Sequence, residues 1–123
     1  MWHGLRLFLR RPIVWIPLSI AGLLNVASWF LLLRHAVAKG AEDVIVLHYS
    51  VYYGVDLVGR WSESFLIPLS GLVFLLLNTC LAYVFQKRSA VIRNTFLIFT
   101  PVIQLLLFFA VFFLVIVNLP VAI

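Results

Sequence analysis

Three stretches of the chain run for a helix-sized length without a charged side chain: Ile13 to Leu33, Phe65 to Phe85 and Phe96 to Val117. At ~1.5 Å of rise per residue, each is long enough to cross a ~30 Å hydrocarbon layer. The pattern predicts an all-α integral membrane protein with transmembrane helices over about 13–33, 65–85 and 96–117. Pro12 stands where a proline is tolerated as the first residue of a helix. Pro17, Pro68 and Pro101 fall early in their spans, and Asn118-Leu119-Pro120 ends the third. A cleaved signal peptide is the competing reading of the first span, with Ala36-Val37-Ala38 as its cleavage site. The apolar part is too long for that, and Arg34 and His35 interrupt the approach, so the segment is read as a retained helix.

Between the first two spans the pattern changes. Residues 34–64 hold all four acidic side chains, Glu42, Asp43, Asp56 and Glu63, together with Arg34, Lys39 and Arg60. Lys39-Gly40-Ala41-Glu42-Asp43 reads as a turn. From Val44 to Tyr53, β-branched and aromatic residues predict a short extended segment, with Ile45, Leu47, Tyr49, Val51 and Tyr53 on one face. Gly54 breaks the run and Gly59 marks a second turn, leaving Val55-Asp56-Leu57-Val58 to pair back or lie flat. A two-stranded hairpin alone is marginal in water, so this one needs support from helix ends, lipid or a partner. Ser62, Glu63 and Ser64 are the capping candidates for the second helix.

Composition agrees with the pattern. With 65% hydrophobic and 11% charged residues, the chain lacks the polar surface of a soluble domain, and three spans use nearly all of its 123 residues. Residues 1–123 form one membrane domain, with no room for a soluble catalytic one. The net charge of +5 is explained by flanks of apolar spans, so a nucleic-acid partner is rejected. Cys80 is the single cysteine, which excludes an intramolecular disulfide and paired-cysteine metal sites.

The cations set an orientation. Arg6, Arg10 and Arg11 precede the first span, and Lys87, Arg88 and Arg93 lie in the 86–95 connector, which three crossings place on the same side. The positive-inside rule makes that side cytoplasmic and puts the 34–64 loop and the C-terminus outside. Trp15 and Tyr83 near the inner boundary, and Trp29 and Trp61 near the outer one, fit an aromatic belt.

Two sets of residues are candidates for function. Asn25, Asn78 and Gln104, with Thr79, lie inside the spans, where an amide facing hydrocarbon is costly, so they should face protein. Measured from the span midpoints at ~1.5 Å per residue, Asn78 and Gln104 both fall about 4 Å toward the cytoplasm and Asn25 about 3 Å toward the outside. Asn78 and Gln104 are therefore expected to meet, as interhelical hydrogen bonds or, alternatively, as a polar track through an oligomeric pore or small-solute transporter. The other set is the outer loop, 44–61. Within it His48 is the side chain suited to proton chemistry near neutral pH, with Asp56, Glu63 or Asp43 to orient it. Ser50, Ser62 and Ser64 lack a triad or nucleophile-elbow context, and His35 and His48 lack the spacing of metal ligands, so neither a catalytic residue nor a metal or other cofactor is expected. Tyr49, Tyr52, Tyr53, Arg60 and Trp61 instead form an aromatic platform of the composition found at protein interfaces, with His48, Asp56 and Gly59 shaping the turn.

The sequence His48-Tyr49-Ser50, followed by Asp56 and Gly59 between two spans, resembles the extracytoplasmic loop of a small bacterial membrane domain of unknown function. That domain also occurs at the N-terminus of immunity and signalling proteins of the sporulation-delay toxin type. Its loop reads Pro-x-His-aromatic-Asn, a Gly, then Asp. His48, Tyr49, Asp56 and Gly59 match, whereas the proline is missing beside Leu47, Ser50 replaces the Asn and Gly54 comes one position late. The resemblance covers the first two spans and their loop. It implies a non-enzymatic protein of a bacterial cytoplasmic membrane that binds or senses something outside the cell, with a membrane or extracytoplasmic protein, or a second copy of itself, as partner beside the lipid bilayer. A membrane enzyme built on His48 and Asp56 is the remaining alternative.

Overall fold

Long apolar runs in lipid must satisfy their backbone groups within the segment, which leaves the helix as the available form. The computed structural model describes residues 2–39, 44–50 and 54–118, and side chains over 2–35 and 63–118. Helix α1 covers Trp2–Arg10 and α2 covers Pro12–Lys39, separated by a bend at Arg11. Two antiparallel strands follow, β1 over Val44–Ser50 and β2 over Gly54–Arg60. The short α3, Trp61–Ser64, leads into α4, Leu66–Phe85, and a tight turn leads into α5, Ala90–Val117. Three of these helices are long and apolar enough to span a membrane: α2 over Pro12–His35, α4, and α5.

The chain crosses three times, so α5 runs antiparallel to α4 and parallel to α2, and it packs along both of them. One end of the bundle carries α1 and the α4–α5 turn, and will be called the basic end. The other carries the ribbon and α3. The first and third spanning helices outrun a ~30 Å layer at ~1.5 Å per residue. Their excess turns are the polar ones, Arg34 to Lys39 at the ribbon end of α2 and Arg93 to Thr95 at the basic end of α5.

Several boundaries differ from the sequence reading. The third helix begins at Ala90, not near Phe96, because Ser89 takes an extended backbone (φ −154°, ψ 121°) and accepts the Ile92 N–H at 3.3 Å as its N-cap. The connector shrinks to 86–89 accordingly. Helix α4 has Phe65 before its first residue with no side-chain cap, since Ser62, Glu63 and Ser64 are taken up in α3. Pro68, third in α4, occupies a position whose N–H has no intrahelical partner in any case. The arm before Pro12 is a helix in its own right.

In the ribbon, Val44 pairs with Arg60, Ile45 with Gly59, Val46 with Val58, His48 with Leu57, Tyr49 with Val55 and Ser50 with Gly54. Gly59 thus lies inside a strand and marks no turn. The register shifts on either side of His48, which leaves Leu47 and Asp56 outside the pairing and interrupts the strict alternation read from sequence. Strand β1 also lies beside α5 and α3.

The bundle core is layered. At the ribbon end Leu32, Val111, Leu114 and Val115 cluster, with Leu31, Phe65 and Ile67 against them. At the basic end Phe8, Val14, Ala82 and Leu97 cluster with Leu5, Leu18, Tyr83 and Phe96. Between the two layers the buried residues are small or polar, among them Ala21, Asn25, Ser28, Gly71, Thr100 and Gln104.

Candidate functional site

The buried positions of the helices follow one rule. In α2 they include Val14, Ala21, Asn25, Ser28 and Leu32; in α4, Pro68, Gly71, Asn78 and Ala82; in α5, Leu97, Thr100, Gln104, Val111 and Leu114. These spacings of three, four and seven are the seam of a left-handed helical bundle, in which side chains of one helix fill spaces on the next. The seam is enriched in small and polar residues, while Leu23, Val84 and Leu106 on the outer faces are more than 60% exposed and suited to lipid.

At mid-seam Asn25, Gln104 and the backbone of α4 lock together. Asn25 Nδ2 donates to the Pro68 carbonyl at 2.9 Å and to Gln104 Oε1 at 3.2 Å, and its Oδ1 accepts from Trp29 Nε1 at 3.1 Å. Gln104 Nε2 donates to the Gly71 carbonyl. Both amide hydrogens of Asn25 and one lone pair of its Oδ1 are used, so its carbonyl and amide ends are both tied to protein. Gly71 makes this approach possible: a Cβ there would stand 2.8 Å from Gln104 Oε1, 2.9 Å from Leu107 Cδ1 and 3.0 Å from Asn25 Nδ2.

One turn nearer the basic end a second link forms. Asn78 Nδ2 donates to Thr100 Oγ1 at 3.2 Å, and that hydroxyl donates to the Phe96 carbonyl at 2.8 Å, in the turn before Pro101. Asn25, Asn78 and Gln104 are thus all buried and all face protein. The expected contact between Asn78 and Gln104 is replaced by two separate links. The reason is the early start of α5: counting from Ala90 moves its midpoint by three residues, ~4.5 Å, and brings Thr100 to the depth of Asn78. Thr79 stays local, donating to the Leu75 carbonyl at 2.7 Å.

Three contributors were not singled out by sequence reasoning as parts of this site. They are Gly71, Thr100 and Trp29, of which the sequence reading places only Trp29, in the interfacial belt. Trp29 donates to Asn25 and stacks on Phe65, centroids 5.8 Å apart and 13° between planes. The detectable signal was the repeat of small and polar residues at seam spacing, Ala21-Asn25-Ser28 and Thr100-Gln104.

Of the outer-loop candidates, the backbone places His48 opposite Leu57 in the ribbon, next to the unpaired Asp56, with Tyr49 opposite Val55, Gly59 opposite Ile45 and Arg60 opposite Val44. Tyr52 and Tyr53 lie outside the described residues, as do the side chains of His48, Tyr49, Asp56, Arg60 and Trp61. Among the described residues no group of three metal-ligating side chains forms.

The fold and seam define a multi-pass integral membrane protein of three spanning helices. No protein-family model, curated protein or solved structure matches the chain.

Proposed function

We propose that the protein is a non-enzymatic membrane subunit, of the accessory, immunity or signalling kind, whose 44–61 ribbon binds a protein partner or senses a signal on the extracytoplasmic side. The observation that carries this reading is the interhelical bonding of the seam amides. Asn25 gives both amide hydrogens and accepts one bond within the bundle, and Gln104 bridges two helices, so these amides serve to hold helices together. Recognition then falls to the ribbon, which carries the chain's densest run of tyrosines and rests against α3 and α5. The resemblance of His48, Tyr49, Asp56 and Gly59 to the loop of sporulation-delay immunity and signalling proteins supports the same assignment.

In this reading the six cations of the basic end face the cytoplasm, by the positive-inside rule, in a bacterial cytoplasmic membrane. A photo-crosslinker in place of Tyr52 or Trp61, in native membranes, is expected to give one discrete adduct that is lost on His48→Ala or Asp56→Ala. In liposomes the purified protein is expected to show no ion flux sensitive to Asn25→Leu or Gln104→Leu. Amide-dependent flux without an adduct would replace this reading with the pore.

A further inference from the structure

Helix α1 has a two-sided design that neither the bundle nor the ribbon explains. At 100° per residue, Gly4, Leu5 and Phe8 share one side of it, and His3, Arg6 and Arg10 share the opposite side within about 60°. The first side docks on protein. Phe8 is buried among Val14, Ala82 and Leu97, and its ring meets Tyr83 edge-on at 5.4 Å between centroids. A Cβ on Gly4 would stand 3.3 Å from the Tyr83 hydroxyl, so the helix lies across the last turn of α4. The flanks are apolar and uncovered: Trp2 is 75% exposed, Leu7 51% and Leu9 42%.

Among the described residues the basic side meets no counter-charge. Among the described residues the only carboxylate side chain belongs to Glu63, at the far end of α4. Arg6, Arg10 and Arg11 are exposed, and so are Lys87 and Arg88 in the α4–α5 turn, two turns or less beyond the Tyr83 on which α1 rests. A narrow cationic stripe between exposed apolar flanks, fixed at the mouth of a membrane bundle, is the pattern of a helix lying in the bilayer interface.

We infer that α1 is an in-plane docking surface for anionic phospholipid headgroups. Leu7 on one flank and Trp2 and Leu9 on the other enter the acyl boundary, which covers the apolar area that the bundle leaves bare. That depth brings Arg6 and Arg10 to the phosphate layer, and Phe8 in its socket holds them there. This inference does not rest on the proposed role of the ribbon, and its test does not involve the ribbon.

The test uses the full chain in phosphatidylcholine vesicles containing trace spin-labelled phosphatidylglycerol or spin-labelled phosphatidylcholine, with the association of each measured by electron paramagnetic resonance. Each cation at an anionic surface contributes on the order of fivefold in binding. Preference for phosphatidylglycerol is therefore expected to be about fivefold or more, to fall toward unity in Arg6→Gln/Arg10→Gln, and to persist in Arg6→Lys/Arg10→Lys. It is also expected to weaken at high salt. Circular dichroism of each variant establishes that the helices are intact. No preference in the native chain overturns the proposal. So does a preference that survives Arg6→Gln/Arg10→Gln and disappears in Lys87→Gln/Arg88→Gln, which would assign the lipid to the turn alone.

Discussion

Asn25 shows how a single polar side chain in lipid is made tolerable. A bare amide in hydrocarbon costs several kcal/mol, about 4–8 on a cyclohexane scale, yet each interhelical bond adds only ~0.6 kcal/mol on average, because partners are also available in the unfolded membrane state. The structure answers with four bonds around two amides. The pairing of side chains then has a measurable signature. In a double-mutant cycle of Asn25→Ala and Gln104→Ala, followed by reversible unfolding in bicelles, a coupling of about 0.6–1.7 kcal/mol is expected. The same cycle with Asn78→Ala and Gln104→Ala is expected to be additive to within about 0.5 kcal/mol, since they share no partner. Strong coupling of Asn78 with Gln104, and none of Asn25, would reverse the assignment. That Asn25, Asn78 and Gln104 face protein was legible from their chemistry. Which one meets which was not, because the answer turns on a ~4.5 Å offset set by where α5 begins.

At the level of the helix, the informative residues are the small ones. Gly71 and Gly22 look alike in sequence, each inside an apolar span. A Cβ on Gly22 meets nothing within 4 Å, whereas one on Gly71 collides with two hydrogen-bonded amides and Leu107. Opposite outcomes are expected from the same substitution. Gly22→Ala should leave stability unchanged or raise it by up to about 1 kcal/mol through helix propensity. Gly71→Ala should lower it by about 1–3 kcal/mol, as overpacking does. The check is thermal or denaturant unfolding of both variants side by side. Equal effects would mean that α4 and α5 do not approach closely at Gly71. The three spans were readable from length and lack of charge alone. Helix α1 was not read as a helix, because nine residues containing a glycine and two arginines are too short to declare themselves, and docking by Phe8 is what holds them. Likewise, the strand pairing of Val55 to Val58 was left open by sequence, since a four-residue run bounded by glycines supports either a strand or a flat crossing.

For the whole molecule, charge and topology make one connected claim. Three crossings oblige α1 and the α4–α5 turn to share a side, and Arg34 at the ribbon end of α2 to take the other. In a Cys80→Ser background, Lys87→Cys is expected to react with a membrane-impermeant maleimide only after the cells are opened. Arg34→Cys is expected to react in intact cells. Both native side chains are exposed, so access to the reagent is limited by the membrane and not by burial. The reverse pattern would invert the proposed orientation and place the ribbon in the cytoplasm.

The sequence by itself determined that this chain lives in a membrane, how many times its apolar runs cross it, and which of its ends carries the positive charge. Those properties depend on transfer free energies and lengths, which add along the chain and need no knowledge of neighbours. Only the tertiary structure decided the seam. In lipid the outward faces are as apolar as any core, so hydrophobic periodicity loses its power to tell inside from outside, and helix contacts are set by close packing and shared hydrogen bonds. Depth, rotation and partner are therefore joint properties of two helices, and neither segment contains them alone. Asn25 with Gln104, Asn78 with Thr100 and Phe8 against Tyr83 are outcomes of that kind.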